Sequence, residues 1–264
     1  MKFKNVLLAS DFDGTLKSDR GIIEKADRDA IAYFMKNGGK FTVCTGRIYQ
    51  GFHLYSPEYI NAPVLLGNGA CAYDYENNTV IFNDAIDEEG LSSVNDVLSV
   101  FPDISIEFYN INKVCAINLN NHSEQHFTSQ GINFETINSP EEAPLPWTKV
   151  MIAAHGCSQK VQMILNDHPE INYLKTTGDY VEILKKDVDK GTGLLKLAHT
   201  LGCAPSDTYA AGDGYNDLEM LTASAGGFVP ENGSQEALAV AKYITRSNND
   251  GCIANTIEIL DSIY

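Results

Sequence analysis

A short apolar run, Val6-Leu7-Leu8-Ala9, leads almost at once into Asp11-Phe12-Asp13-Gly14-Thr15. That junction constrains the chain more than any other feature. A short apolar run bounded by turn formers reads as a fully buried parallel strand, and in open α/β sheets ligands bind beyond the carboxyl ends of such strands. Asp11 and Asp13 would then project two carboxylates into a crevice. Gly14 supplies the freedom for a tight exit turn, and Thr15 a cap for whatever follows. Taken alone, the segment is equally an Asp-rich turn.

Three further segments repeat the pattern of an apolar strand, or a helix start, carrying small and polar residues able to touch phosphate. Phe41-Thr42-Val43-Cys44 leads into Thr45-Gly46-Arg47, and Thr208-Tyr209-Ala210-Ala211 leads into Gly212-Asp213-Gly214-Tyr215-Asn216-Asp217. Between them Lys190-Gly191-Thr192-Gly193 opens a helix carrying Leu194, Leu195, Leu197, Ala198 and Leu201 and stopping at Gly202. Each has a local alternative: Thr45, Asn216 and Asp217 as helix caps, Lys190 as one surface lysine among many.

Taken in order, these segments resemble the four motifs of the haloacid dehalogenase superfamily of aspartate-nucleophile phosphatases. The long stretch between Arg47 and Lys190 resembles the cap of its Cof-like branch, subclass IIB. The resemblance implies an α/β fold: a doubly wound, Rossmann-like parallel-sheet core from residues 1–84 and 185–264, with an inserted C2-type α+β cap at 85–184 that sets substrate specificity. It implies Asp11 as nucleophile, Asp13 as general acid and base, and Thr45, Gly46, Lys190 and Asn216 as phosphate-binding residues. Asp11 and Asp213 would bind a metal through side-chain oxygens, Asp13 through its backbone carbonyl, and Asp217 as a ligand or through an orienting contact. The departures are small: Phe12 stands where Leu is frequent, and Asp187-Val188-Asp189 precedes the lysine.

Four acids cannot share a pocket as bare anions, since like charges ~4 Å apart repel by roughly 4 kcal/mol at an effective dielectric of 20. A divalent cation resolves this. An oxygen-only donor set without His or Cys nearby in sequence favours a hard ion, and Mg²⁺ is the usual choice where carboxylates share it with substrate phosphate and water. The activity implied is Mg²⁺-dependent hydrolysis of a small phosphorylated metabolite such as a sugar phosphate, through an aspartyl-phosphate. A phosphomutase or phosphotransferase would use the same intermediate. A phosphoacceptor signalling module also uses an acid cluster, a Thr and a Lys, but a second acid two residues after the nucleophile is what hydrolysis needs. Arg47 is either a phosphate or substrate contact or a structural partner for an excess acid. Asn68, in Gly67-Asn68-Gly69 after Val64-Leu65-Leu66, either lines the site entrance or is a turn residue.

A formal charge of −16 argues against nucleic acid or an anionic membrane surface as partner. A phosphorylated metabolite must then be drawn in by the metal, Lys190 and Arg47 rather than by the global field. Six dispersed cysteines, with no Cys-x-x-Cys pair, read as reduced core thiols in a cytoplasmic protein, although their even number leaves disulfides open; the expected state is a monomer or homodimer. The apolar run near Met1 is too short for a signal peptide and is interrupted by Asp11.

Periodicity places a helix over Ala30, Ile31, Phe34 and Met35, and after Lys190 an alternation of helices and strands closing on a helix at Ile253–Leu260. Within 85–184 a helix at Leu91, Val94 and Leu98 precedes strands at Ile104–Phe108 and Val114–Leu119. A strand at Val150–Ala153, a helix at Val161, Ile164 and Leu165, and two more strands follow. This predicts a lid with one open sheet face. Tyr109, His122, His126 and Trp147 are either substrate contacts in it or core and surface residues.

Overall fold

The computed structural model describes residues 1–52, 55–175 and 180–264. It divides into two compact units, one of Met1–Gly46, Leu54–Ile81 and Asp189–Tyr264, the other of Arg47–His53 and Phe82–Val188. In chain order the first unit contributes β1 (Leu7–Ser10), α1 (Lys25–Lys36), β2 (Lys40–Val43), β3 (Val64–Leu66), β4 (Cys71–Asp74) and β5 (Thr79–Asn83), which runs across the boundary. The second contributes α2 (Leu91–Val100), β6 (Ile106–Tyr109), β7 (Val114–Ile117), α3 (Asn121–Gln130), β8 (Glu135–Thr136), β9 (Lys149–Ala153), α4 (Ser158–Leu165), β10 (Ile171–Lys175) and β11 (Tyr180–Lys185). The chain then returns through α5 (Lys190–Thr200), β12 (Thr208–Ala211), α6 (Leu218–Ala223), β13 (Gly226–Pro230), α7 (Gln235–Val240), β14 (Tyr243–Thr245) and α8 (Cys252–Ile263).

In the first unit five strands form a parallel sheet in the order β14-β13-β12-β1-β2, the expected doubly wound core. Every residue of β1 and β12 is buried, which is why their sequences run apolar and small without alternation. α1 turns Ile31 and Phe34 inward and packs against α8, which buries Ile253, Ile257 and Leu260. From β1 the chain goes to β2 on one side, and β12 takes the other side. The order therefore reverses at β1/β12, and the crevice beyond their carboxyl ends is where such folds hold ligands. Register completes the placement, because Ser10 pairs with Ala211 and with Val43. Asp11, Gly212-Asp213 and Cys44-Thr45 thus leave the sheet at the same edge.

The second unit is a six-stranded sheet in the order β10-β11-β9-β6-β7-β8, antiparallel except for the β7–β8 pair. Ile106, Phe108, Val150, Ile152, Val181 and Ile183 on one face pack with Val94, Val97, Val161 and Leu165 of α2 and α4. Trp147 joins that core, its ring 4.8 Å from Phe108, so it is a packing residue. The opposite face differs from the open surface expected: α3 lays Phe127 against Tyr109, Val114 and Ala116. Its polar sequence hides it from periodicity, but its ends are well made. Asn120 accepts from the His122 and Ser123 amides, both at 3.0 Å, and Gly131 closes it at φ 64°. Tyr109 is buried there and donates to the buried carboxylate of Glu107, which His126 Nδ1 approaches at 2.9 Å.

Candidate active site

Beyond β1 the chain turns sharply. Asp11 N donates to Ala211 O at 2.7 Å, stitching the strand end to β12, and Gly14 takes φ 90° so that the backbone doubles back beneath the β12 loop. A Cβ at Gly14 would lie 2.5 Å from Asp213 Oδ2, so only glycine fits. The next residue uses that proximity. Thr15 Oγ1 donates to Asp213 Oδ1 at 2.6 Å and so orients a carboxylate 198 residues away, rather than capping a following helix.

Three carboxylates converge: Asp11, Asp213 and Asp217 each offer an oxygen within 4.8 Å of the others. Lys190, the first residue of α5, is held there by an Asp189–Thr192 capping box and is fully buried. Its Nζ donates to Asp11 Oδ1 and Asp217 Oδ1, both at 2.6 Å. Burial alone would favour the neutral amine, but Asp11 and Asp217 outweigh it and hold the ammonium above its ordinary pKa. Two of the acids are shifted towards their neutral form. Burial drives the Asp11 carboxyl well above its ordinary value, against Lys190 and reinforced by Asp217 and Asp213. Burial likewise lifts Asp213 to about 6. One lysine cannot balance three carboxylates, and the uncompensated charge sits among oxygen donors only. That donor set fits a hard divalent cation such as Mg²⁺.

Asp217 is the most tightly held of the three. Its Oδ2 accepts from the Asp213 and Gly214 amides at 3.0 and 2.8 Å while Oδ1 takes Lys190, so it braces the loop that presents Asp213. Ser234 N and Asn232 Nδ2 secure the same loops from beyond β13, donating to the carbonyls of Asp213 and Gly14 at 2.8 Å each. Asp13 is not one of these three clustered carboxylates: its side chain is about half exposed, with Oδ1 2.5 Å from Lys17 Nζ. Thr45 is buried, with its amide donating to Leu65 O at 2.9 Å, and Gly46 follows it. Asn216 Nδ2 donates to Asn68 Oδ1 at 3.0 Å. Arg47 falls in the second unit, where its Nη1 donates to Gly51 O at 3.1 Å.

The family model of the haloacid dehalogenase-like hydrolases matches residues 8–257. The chain belongs to that family. Among its relatives is YxeH of Bacillus subtilis, 27% identical over 264 residues and covering 96% of this chain and 97% of that one. Another is the 5-amino-6-(5-phospho-D-ribitylamino)uracil phosphatase YitU of the same organism, 27% identical with 98% of each chain covered. Among solved structures, a subclass IIB sugar phosphatase of the superfamily superposes with a TM-score of 0.86 over 96% of this chain and 98% of that one. At 19% identity the likeness is one of fold.

Sequence reasoning did not find the roles of Thr15, Lys17, Asn232 and Ser234. Thr15 was visible in the motif, but its partner is set by the β1–β12 register. Asn232 and Ser234 sit in an Asn-Gly-Ser turn after β13 with no local mark of their targets. Among the described residues no helix is long and apolar enough to cross a membrane.

Proposed function

We propose that this hydrolase is a Mg²⁺-dependent phosphomonoesterase working through an aspartyl-phosphate on Asp11. The observation that carries the reading is the buried Lys190 bridging Asp11 and Asp217 beside Asp213. A lysine held between two carboxylates neutralises the approach of an anionic nucleophile to a phosphate dianion, and phosphoryl transfer depends mostly on such positioning and charge stabilisation.

Asp11 and Asp213 would hold the ion through side-chain oxygens and Asp13 through its carbonyl, with Asp217 orienting the Asp213 loop. The bound cation would screen the phosphate charge and the carboxylates from one another. An Asp11 Oδ attacks phosphorus as the ester P–O bond breaks, and Asp13 delivers its proton to the departing alkoxide. Asp13 then takes a proton from water, which attacks the phosphorus, releases Asp11 and yields inorganic phosphate. Thr45, Gly46, Lys190 and Asn216 receive the phosphoryl oxygens. A half-exposed Asp13 fits its task, since it must meet both the leaving group and bulk-derived water.

The substrate we infer is a small phosphorylated polyol or sugar, since one relative is a ribitylaminouracil phosphatase and one fold neighbour a sugar phosphatase. Leaving-group selection belongs, in this reading, to the second unit. The test is phosphate release from sugar phosphates, nucleotides and an aryl phosphate, with and without Mg²⁺, for wild type and Asp11→Asn. Turnover should need both metal and Asp11, with at least a thousandfold loss in the variant, roughly the scale of removing a unit's key member. Stable phosphorylation of wild type without turnover would overturn the reading in favour of a phosphoacceptor module.

A further inference from the structure

Gly67, Asn68 and Gly69 have φ of 56°, 52° and 93°, three consecutive left-handed residues directly after β3. Such a backbone carries a steric cost for any residue with a Cβ, least for Asn. The turn persists because three separate segments of the site meet on it. Asn68 N donates to Thr45 O at 3.0 Å, and a Cβ on Gly46 would lie 3.2 Å from the Asn68 carboxamide. A Cβ on Gly69 would lie 2.2 Å from Asp189 O, and one on Gly193 2.6 Å from Gly69 O, so the turn is pressed against the start of the helix that presents Lys190. The Asn68 side chain, 1% exposed, accepts from Asn216 Nδ2 at 3.0 Å.

The chemistry of that last bond is specific. A carboxamide presents either an oxygen, which repels phosphate, or an NH₂ with two donors. With Asn68 Oδ1 taking one N–H of Asn216, the bond fixes which end of that carboxamide is the NH₂, and the second N–H is the donor a phosphoryl oxygen would take. We propose that Asn68 is a positioning residue rather than a substrate contact. It sets the Asn216 carboxamide and the Thr45–Gly46 loop in the geometry that receives the phosphate group. The inference rests on the phosphatase reading above.

The test is inhibition by inorganic phosphate, with KM, kcat and the melting midpoint measured alongside, in wild type, Asn68→Gly, Asn68→Ala, Asn216→Ala and Asn68→Gly/Asn216→Ala. Glycine keeps the left-handed backbone at no steric cost, whereas alanine pays for it. Both single variants at position 68 should raise the phosphate inhibition constant and KM about tenfold, the scale of one hydrogen bond, with kcat less affected. Both variants lose the buried side chain, but Asn68→Ala, which alone adds left-handed strain, should melt lower than Asn68→Gly while the two share the same phosphate constant. The double variant should bind phosphate no worse than Asn216→Ala alone, because the two residues act as one unit. A wild-type phosphate constant in Asn68→Gly, multiplying effects in the double variant, or losses that track the melting midpoint would overturn the inference. Absence of Mg²⁺-dependent turnover in wild type would instead remove the phosphatase reading beneath it.

Discussion

Asp27 links two helices of the core and should give the protein a pH-dependent stability unrelated to its chemistry. Although it lies in the first turn of α1, its Oδ1 accepts from Ala254 N at 2.7 Å and so caps the first turn of α8, while Oδ2 is buried and has no hydrogen-bond partner among the described residues. The residue is fully inaccessible to solvent. Burial raises its carboxyl from 3.8 to about 6, against the opposing backbone amides of Ala254 and Ile253 and with a small push from Glu24. At 1.36 kcal/mol per pH unit, that difference is worth ~3 kcal/mol. The sign follows from proton binding. Between pH 4 and pH 6 the folded protein keeps the proton that the unfolded chain has released, so stability falls as pH rises through this window. The contribution is fully present below about pH 4 and lost above about pH 7. Asp27→Asn keeps the acceptor for Ala254 but cannot titrate, and any misfit of its NH₂ is a pH-independent offset. Urea denaturation of both proteins at pH steps from 4 to 8 should therefore show the stability difference, wild type minus variant, falling by roughly 2.5 kcal/mol, the remainder lying below pH 4. A difference that is flat, or that rises with pH, would refute the burial argument.

Two variants address the site's geometry. Thr15→Val removes the hydroxyl that steers Asp213 while keeping its shape, so, with Asp213 as the proposed Mg²⁺ ligand, the Mg²⁺ concentration giving half-maximal turnover should rise roughly 10- to 100-fold, the usual cost of losing an outer hydrogen bond to a ligand. An unchanged metal requirement in a titration of turnover would exclude that role. Lys17→Met keeps an aliphatic stem beside Phe12, over whose ring the Lys17 ammonium lies at 5.2 Å, but removes the ammonium that pairs with the Asp13 carboxylate. Rates on an alkyl phosphate, whose leaving group in the proposed mechanism takes its proton from Asp13, should fall roughly tenfold, and rates on an aryl phosphate much less. Equal losses on both substrates would show that Lys17 serves folding rather than the position of Asp13.

What was legible in the sequence is what local chemistry writes there. Asp11, Lys190 and Asp213 stand immediately after buried strands or at a helix start, and their placement at one sheet edge needs only the rule that parallel strands share a direction. The α/β core followed for the same reason. α3 was not legible because Phe127 is its one large apolar side chain, so no 3.6-residue stripe announces it; its signal lay in Asn120 and Gly131, residues that also read as loop. Thr15–Asp213 and Asn68–Asn216 span 198 and 148 residues, and neither partner carries a mark of the other. Their pairing depends on strand register, since a single-residue slip of β12 against β1 would carry Asp213 away from Thr15 while leaving every local motif intact. The residues to which we assign the chemistry are therefore readable one at a time, whereas those that hold them in place are defined only by pairs. Asn68 illustrates the difference: as a sequence feature it is a turn residue between two glycines, and the task we propose for it emerges only when β3 delivers that turn between Thr45, Asp189 and Asn216.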